Sequence, residues 1–136
     1  MRVKALARWI PALLWAAMIL VSSGDHGSFG VTEGWVRRAF PSLSDEAVFF
    51  INYAMRKSGH VAAYAVMGAL NLYAIRGWGG GWSAGAVTVA VGLAVLVAVL
   101  DENRQAAFSS RTGTLADVGF DFCGAALGQF VSRRGK

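Results

Sequence analysis

Three groups of residues have the types and spacing to do chemistry. Arg56 and Lys57 precede His60, Tyr64 and Gly68, which recur every four residues and so share one helix face. Asp101, Glu102 and Gln105 follow a long apolar stretch, with Asp101 and Gln105 on one face. Arg111 precedes a last apolar stretch in which Asp117, Asp121, Gly124 and Gly128 align. A histidine beside carboxylates suits acid–base work near neutral pH. Arginine and lysine suit phosphate or carboxylate recognition through charge-assisted hydrogen bonds. Four carboxylates, Asp101, Glu102, Asp117 and Asp121, suit a hard divalent cation, whereas one histidine and the distant Cys123 do not make a zinc site. No metal or other cofactor is expected on this pattern alone.

Each group also has a plainer reading. His60 and Tyr64 can anchor a helix at a membrane interface, Arg56 and Lys57 can end a span, and Asp101 and Glu102 can be solvated loop acids. Asp117 can complement the dipole of the last helix. Asp121 lies one turn deeper and needs a partner, for which the sequence offers Arg111, Arg104 or Arg56.

The elements that must position these groups are apolar helices. The chain has 136 residues, 55% of them hydrophobic and 15% charged, against about 25% charged in an ordinary soluble domain. Apolar stretches fall near 8–23, 59–76, 84–100 and 115–131, short but adequate against the roughly 17–25 residues of a span. The expectation is an all-α polytopic membrane protein, one domain over 1–136, with about four transmembrane helices plus a short interfacial helix. An external segment at 24–58 joins the first two spans.

The net charge of +5 does not indicate nucleic acid, because no basic stripe with interleaved aromatics is present. Arg2, Lys4 and Arg8 lead the first span and Arg133, Arg134 and Lys136 follow the last. This is the positive-inside arrangement, with both termini cytoplasmic. A competing reading makes the first segment a signal peptide cleaved after Val21-Ser22-Ser23. Within the external segment, Gly24 to Gly34 reads as a loop. Ser42 to Asp45 reads as a Ser-x-x-Asp helix start, and Asp45 to Met55 as an interfacial helix. The alternative is one long helix from Asp45 to Ile75, kinked near Ser58-Gly59. On this topology all the polar groups fall on the outer side. Gly124-x-x-x-Gly128 would let a neighbouring helix close on them.

The ordered set resembles the VanZ-like membrane protein family, named for a glycopeptide-resistance accessory protein of Gram-positive bacteria. That family's pattern has a basic residue before His-x-x-x-Tyr-x-x-x-Gly, met here by Arg56-Lys57, His60, Tyr64 and Gly68. It continues with Asp-Glu-x-x-Gln, met by Asp101, Glu102 and Gln105, and Arg-x-Gly-x-x-x-Asp, met by Arg111, Gly113 and Asp117. The closing Gly-x-x-x-Gly is Gly124 and Gly128, and Val21-Ser22-Ser23 stands where the family tends to have a serine motif. Two departures are Ser109-Ser110 in place of Pro-Gly and Asp121 where asparagine is frequent. The resemblance implies a small helical protein of the bacterial plasma membrane linked with cell-envelope antibiotic tolerance.

Two functions fit these residues. One is a non-enzymatic envelope protein whose outward polar pocket binds a lipid-linked cell-wall precursor or a lipoglycopeptide. The other is a membrane enzyme in which His60 is the base and Glu102 or Asp101 orients it or serves as acid. A structural ion-pair network without catalytic role is the plainest outcome. Transport is disfavoured, because acids confined to one leaflet do not cross a bilayer, although a homo-oligomer would enlarge the room available.

Overall fold

A computed structural model describes residues 2–24, 28–76, 82–106 and 115–134. Among these residues there are six α-helices and no strand: α1 (Arg2–Ala7), α2 (Ile10–Ser22), α3 (Phe29–Ala39), α4 (Asp45–Arg76), α5 (Ala84–Ala106) and α6 (Leu115–Arg134). Two stretches, Val3–Ser22 and Ala84–Ala106, are long and apolar enough to cross a membrane. The break between α1 and α2 follows from Pro11, which has no N–H to offer the Ala7 carbonyl. The chain makes a turn there, with Trp9 N–H donating to Leu6 O at 3.0 Å, and the helix resumes with proline in its first turn. α2 stops at Ser23, whose N–H reaches Ile19 O and whose hydroxyl donates to Leu20 O.

Residues expected as loop are helical from Phe29 onward. Gly30 and Gly34 weaken a helix by about 1 kcal/mol each relative to alanine. Packing of α3 on α4 overrides that propensity. Thr32 and Val36 are buried, the Phe29 and Phe49 rings stand 5.5 Å apart, and the Asn52 amide donates to Phe29 O at 3.1 Å. Arg37 joins Glu33 within α3 to Asp45 at the start of α4. The hydrogen bonds to Asp45 and then to Glu33 raise the guanidinium above its ordinary pKa.

α4 is one uninterrupted helix, not an interfacial helix followed by a span, and is about 48 Å long at ~1.5 Å per residue. Its start is capped by Ser44, whose hydroxyl accepts from Ala47 N–H, rather than by Ser42. α5 likewise runs past the expected end at residue 100, to Ala106. The Gln105 amide donates to Asp101 Oδ2 at 2.9 Å, an i,i+4 pair that supports the added turn.

Polarity is inverted relative to a water-soluble fold. Leu14, Phe50, Leu96, Phe122 and Phe130 are exposed, while Asn52, Asn71, Asp101, Gln105, Asp121 and Gln129 are buried. The central layer is made of small residues, with Ala90, Ala94, Ala98 and Ala125 fully enclosed. α4 and α6 run parallel and make the most extensive contact of the fold. A Cβ on Gly124 would strike the Val61 carbonyl, one on Gly128 the Ala65 carbonyl, and one on Gly68 the Ala125 carbonyl.

Gly128→Ala should therefore cost about 1–3 kcal/mol, the usual penalty of overpacking, and lower the melting temperature in detergent. Gly92→Ala, where a Cβ meets nothing within 4 Å, should leave it unchanged or raise it. Equal melting temperatures for the two variants would refute the close approach.

Candidate functional site

Helix length and register bring the polar groups to one level. At ~1.5 Å per residue, Asp101 lies about 26 Å along α5 from Ala84, close to the ~30 Å depth of a hydrocarbon core. Ser22 closes the other apolar stretch at the same end. α4 passes through that level in its middle and α6 begins there.

Two acid–base pairs link α4 to α6. Lys57 Nζ forms an ion pair with Asp117 Oδ1, and His60 Nδ1 meets Asp121 Oδ1 at 3.0 Å. Asp121 is 1% exposed, so its carboxylate depends on this contact. Among the described residues the partner of Asp121 is thus a histidine on α4, which the sequence reading did not name. His60 is oriented by Asp121 rather than by Glu102 or Asp101. Lys57 also lies over the rings of Tyr53 and Phe120, at 5.3 and 5.4 Å. It is a holder of α6 more than a free cation.

On the other side of α4 a cavity of about 240 Å³ opens between α2, α4 and α5. Arg56, His60 and Tyr64 line it from α4, Asp101 and Gln105 from α5, and Ser22 and Ser23 from the end of α2. Met18, Ile19 and Ala63 form its apolar wall. Tyr64 is 1% exposed, and neither its hydroxyl nor Asp101 Oδ1 has a hydrogen-bond partner among the described residues. Trp15 donates its indole N–H to Ala63 O at 2.9 Å, which fixes α2 against α4 beside the cavity. Arg56 stacks on the Phe29 ring at 6.0 Å, tying α3 to the same region.

Of the residues singled out in the sequence, Arg56, His60, Tyr64, Asp101 and Gln105 meet at the cavity. Asp117 and Asp121 join it only through the pairs with Lys57 and His60. Glu102 is buried at the end of α5, and Gly68, Gly124 and Gly128 pack helices. Arg111 lies outside the described residues. Among the described residues no three His, Cys, Asp or Glu side chains converge on one metal position.

Sequence reasoning missed three buried amides, Asn52, Asn71 and Gln129. Asn71 donates to Ala90 O at 3.1 Å and so joins α4 to α5. Each is a lone amide in an apolar helix, and that polarity was the signal available.

Apolar surface outside, small and polar residues inside, and two candidate spans define a small all-helical protein of membrane type. Residues 8–134 match the VanZ/LLP1 family model, and the chain belongs to that family. No curated protein and no solved structure matches it.

His60→Ala and Asp121→Ala should be strongly non-additive in stability. A coupling of about 1–3 kcal/mol is expected for a buried hydrogen bond to a charged group. A double-mutant cycle by thermal unfolding tests this, and additive effects would show that the contact contributes nothing.

Proposed function

We propose that the chain crosses the bacterial plasma membrane four times, through α1–α2, α4, α5 and α6, with both termini cytoplasmic. Its polar cavity faces the outer leaflet and receives an amphipathic envelope ligand, a lipid-linked cell-wall precursor or a lipoglycopeptide. What supports this reading is one observation: a buried phenol hydroxyl on Tyr64 and a buried carboxylate oxygen on Asp101 line a cavity without partners among the described residues. An unmet buried polar group costs about 1–3 kcal/mol, and a polar occupant of the cavity would relieve that cost. Arg56 supplies a cation for phosphate or carboxylate, and Met18 and Ile19 continue the wall toward the lipid side. A role in glycopeptide-type antibiotic tolerance follows if the occupant is the drug or its target.

A second reading is favoured by the His60–Asp121 contact. A carboxylate on Nδ1 sets the imidazole tautomer and leaves the other ring nitrogen for proton transfer. His60 also lines the cavity, so acid–base catalysis on a lipid-linked substrate would use the same residues. Turnover of a defined substrate, lost in His60→Ala with binding retained, would select the enzyme reading over the binding one.

Two measurements test the first reading. Cysteine at Asn103, in a Cys123→Ser background, should react with a membrane-impermeant thiol reagent on intact cells; labelling only after lysis would invert the topology. Purified protein should retain a fluorescent lipoglycopeptide or a polyprenyl-diphosphate-linked precursor. Arg56→Ala should weaken retention about tenfold or more, since a charge-assisted hydrogen bond is worth ~1.5–3 kcal/mol. Equal retention by wild type and variant would remove the cavity from the function.

A further inference from the structure

Two enclosed atoms of the cavity are unmet. The Tyr64 hydroxyl, on its α4 side, and Asp101 Oδ1, on its α5 side, have no hydrogen-bond partner among the described residues. Other polar groups of the wall are engaged. Gln105 donates to Asp101 Oδ2, His60 meets Asp121, Arg56 lies over the Phe29 ring, and Ser23 donates its hydroxyl to Leu20 O. What the buried end offers a ligand is therefore one phenol O–H to give and one carboxylate oxygen to receive.

That combination selects among polar groups. An ammonium only donates, so it would meet Asp101 and leave the phenol proton without an acceptor. A phosphate or carboxylate only accepts, so it would meet Tyr64 and face the Asp101 carboxylate. A hydroxyl does both: it accepts from Tyr64 and donates to Asp101 Oδ1. The walls then select the carbon frame. The volume of about 240 Å³ is several times the ~30 Å³ share of one water, and a buried water needs about two to four polar partners. Met18, Ile19 and Ala63 supply none along the apolar side. A sugar ring turns C–H groups to such a wall and hydroxyls to the opposite one.

The cavity lies at the end of α2 and about 26 Å along α5 at ~1.5 Å per residue, where a bilayer of ~30 Å hydrocarbon thickness meets its head groups. Met18 and Ser22 on its rim are exposed, so it opens sideways along α2, toward the exposed Leu14. Resting on the binding reading above and naming the part of the ligand that is recognised, we infer that the cavity takes the sugar of a glycosylated lipid. A ring hydroxyl accepts from Tyr64, and the same hydroxyl or its neighbour donates to Asp101 Oδ1. The lipid tail stays along the apolar flank of α2. No charge on Arg56 or His60 is required.

The test is native mass spectrometry of the full chain released from detergent, titrated with short-chain lipids of identical tails. Glucosyl diacylglycerol should bind about tenfold or more tightly than diacylglycerol or the same glycolipid with its sugar hydroxyls methylated, the ratio expected for two hydrogen bonds. Tyr64→Phe should lower that ratio about fivefold, the value of one such bond, without changing diacylglycerol binding. The wild-type series needs no variant to fold. Equal binding of the glycolipid and its methylated form would overturn the hydroxyl assignment. Methyl glucoside binding as tightly as the glycolipid would show a free sugar to be the ligand and overturn the lipid half. The reading beneath is tested separately, with a polyprenyl-diphosphate-linked precursor and a lipoglycopeptide, each with and without its sugars. Retention that survives removal of the sugars would overturn the sugar assignment and keep envelope binding. Retention of neither ligand in any form, with the glycolipid series also negative, would overturn both.

Discussion

At Val61 and Ala65 the carbonyls of α4 occupy the space that side chains at Gly124 and Gly128 would need. That approach brings the backbones of two parallel helices together and sets their register. Moving toward the start of α6, the facing pairs are Ala65 with Gly128, Val61 with Gly124, His60 with Asp121 and Lys57 with Asp117. The inner contacts are small and apolar and the outer two are ionic, one helical turn after another. Without the glycines the helices would stand apart, and a 3.0 Å contact between His60 and Asp121 could not form at the same level. In a membrane, where apolar burial gives helices little reason to associate, such close packing and a few polar contacts are the available driving forces.

The polar layer divides into a half paired by charge and a half that is not. Between α4 and α6 Asp117 takes Lys57 and Asp121 takes His60, as a charge removed from water requires, with Asp121 Oδ2 left unmet among the described residues. Between α4 and α5 the pairing is incomplete, because Asp101 keeps one oxygen unmet and Tyr64 keeps its hydroxyl unmet among the described residues. A protein selected only for stability would fill that gap with apolar side chains, which is often neutral or favourable. Tyr64 and Asp101 line a cavity instead of a packed core, and the proposed binding role rests on that difference.

Much of this was legible in the sequence, since helical periodicity put His60, Tyr64 and Gly68 on one face and aligned Asp117, Asp121, Gly124 and Gly128 on another. Arg56, His60, Tyr64, Asp101 and Gln105 could be grouped by their positions along the chain, because lone polar residues in apolar helices have few places to go. The pairing could not be read. Pairing His60 with Asp121 depends on the offset between α4 and α6, which the glycines set in three dimensions. α3 was hidden because Gly30 and Gly34 signal a loop, and only the tertiary contacts of Phe29, Thr32 and Val36 override them. The continuity of α4 was an open alternative, since Ser58-Gly59 can either kink a helix or sit inside one.

Gly59 has a second consequence, because it lines the cavity and a Cβ there would meet nothing within 4 Å. With α2 ending at Ser23 and no side chain at Gly59, the space beside His60 is left open just where α5 delivers Asp101. Trp15 keeps α2 from sliding along α4 by holding the Ala63 carbonyl, one turn below that opening. The cavity is therefore produced by the ends and gaps of elements whose lengths are set elsewhere: Pro11 and Ser23 bound α2, and the Asp101–Gln105 pair extends α5. Its chemistry comes from residues held on three separate helices, so a change in any one helix's register would scatter the donors and acceptors while leaving the apolar exterior intact.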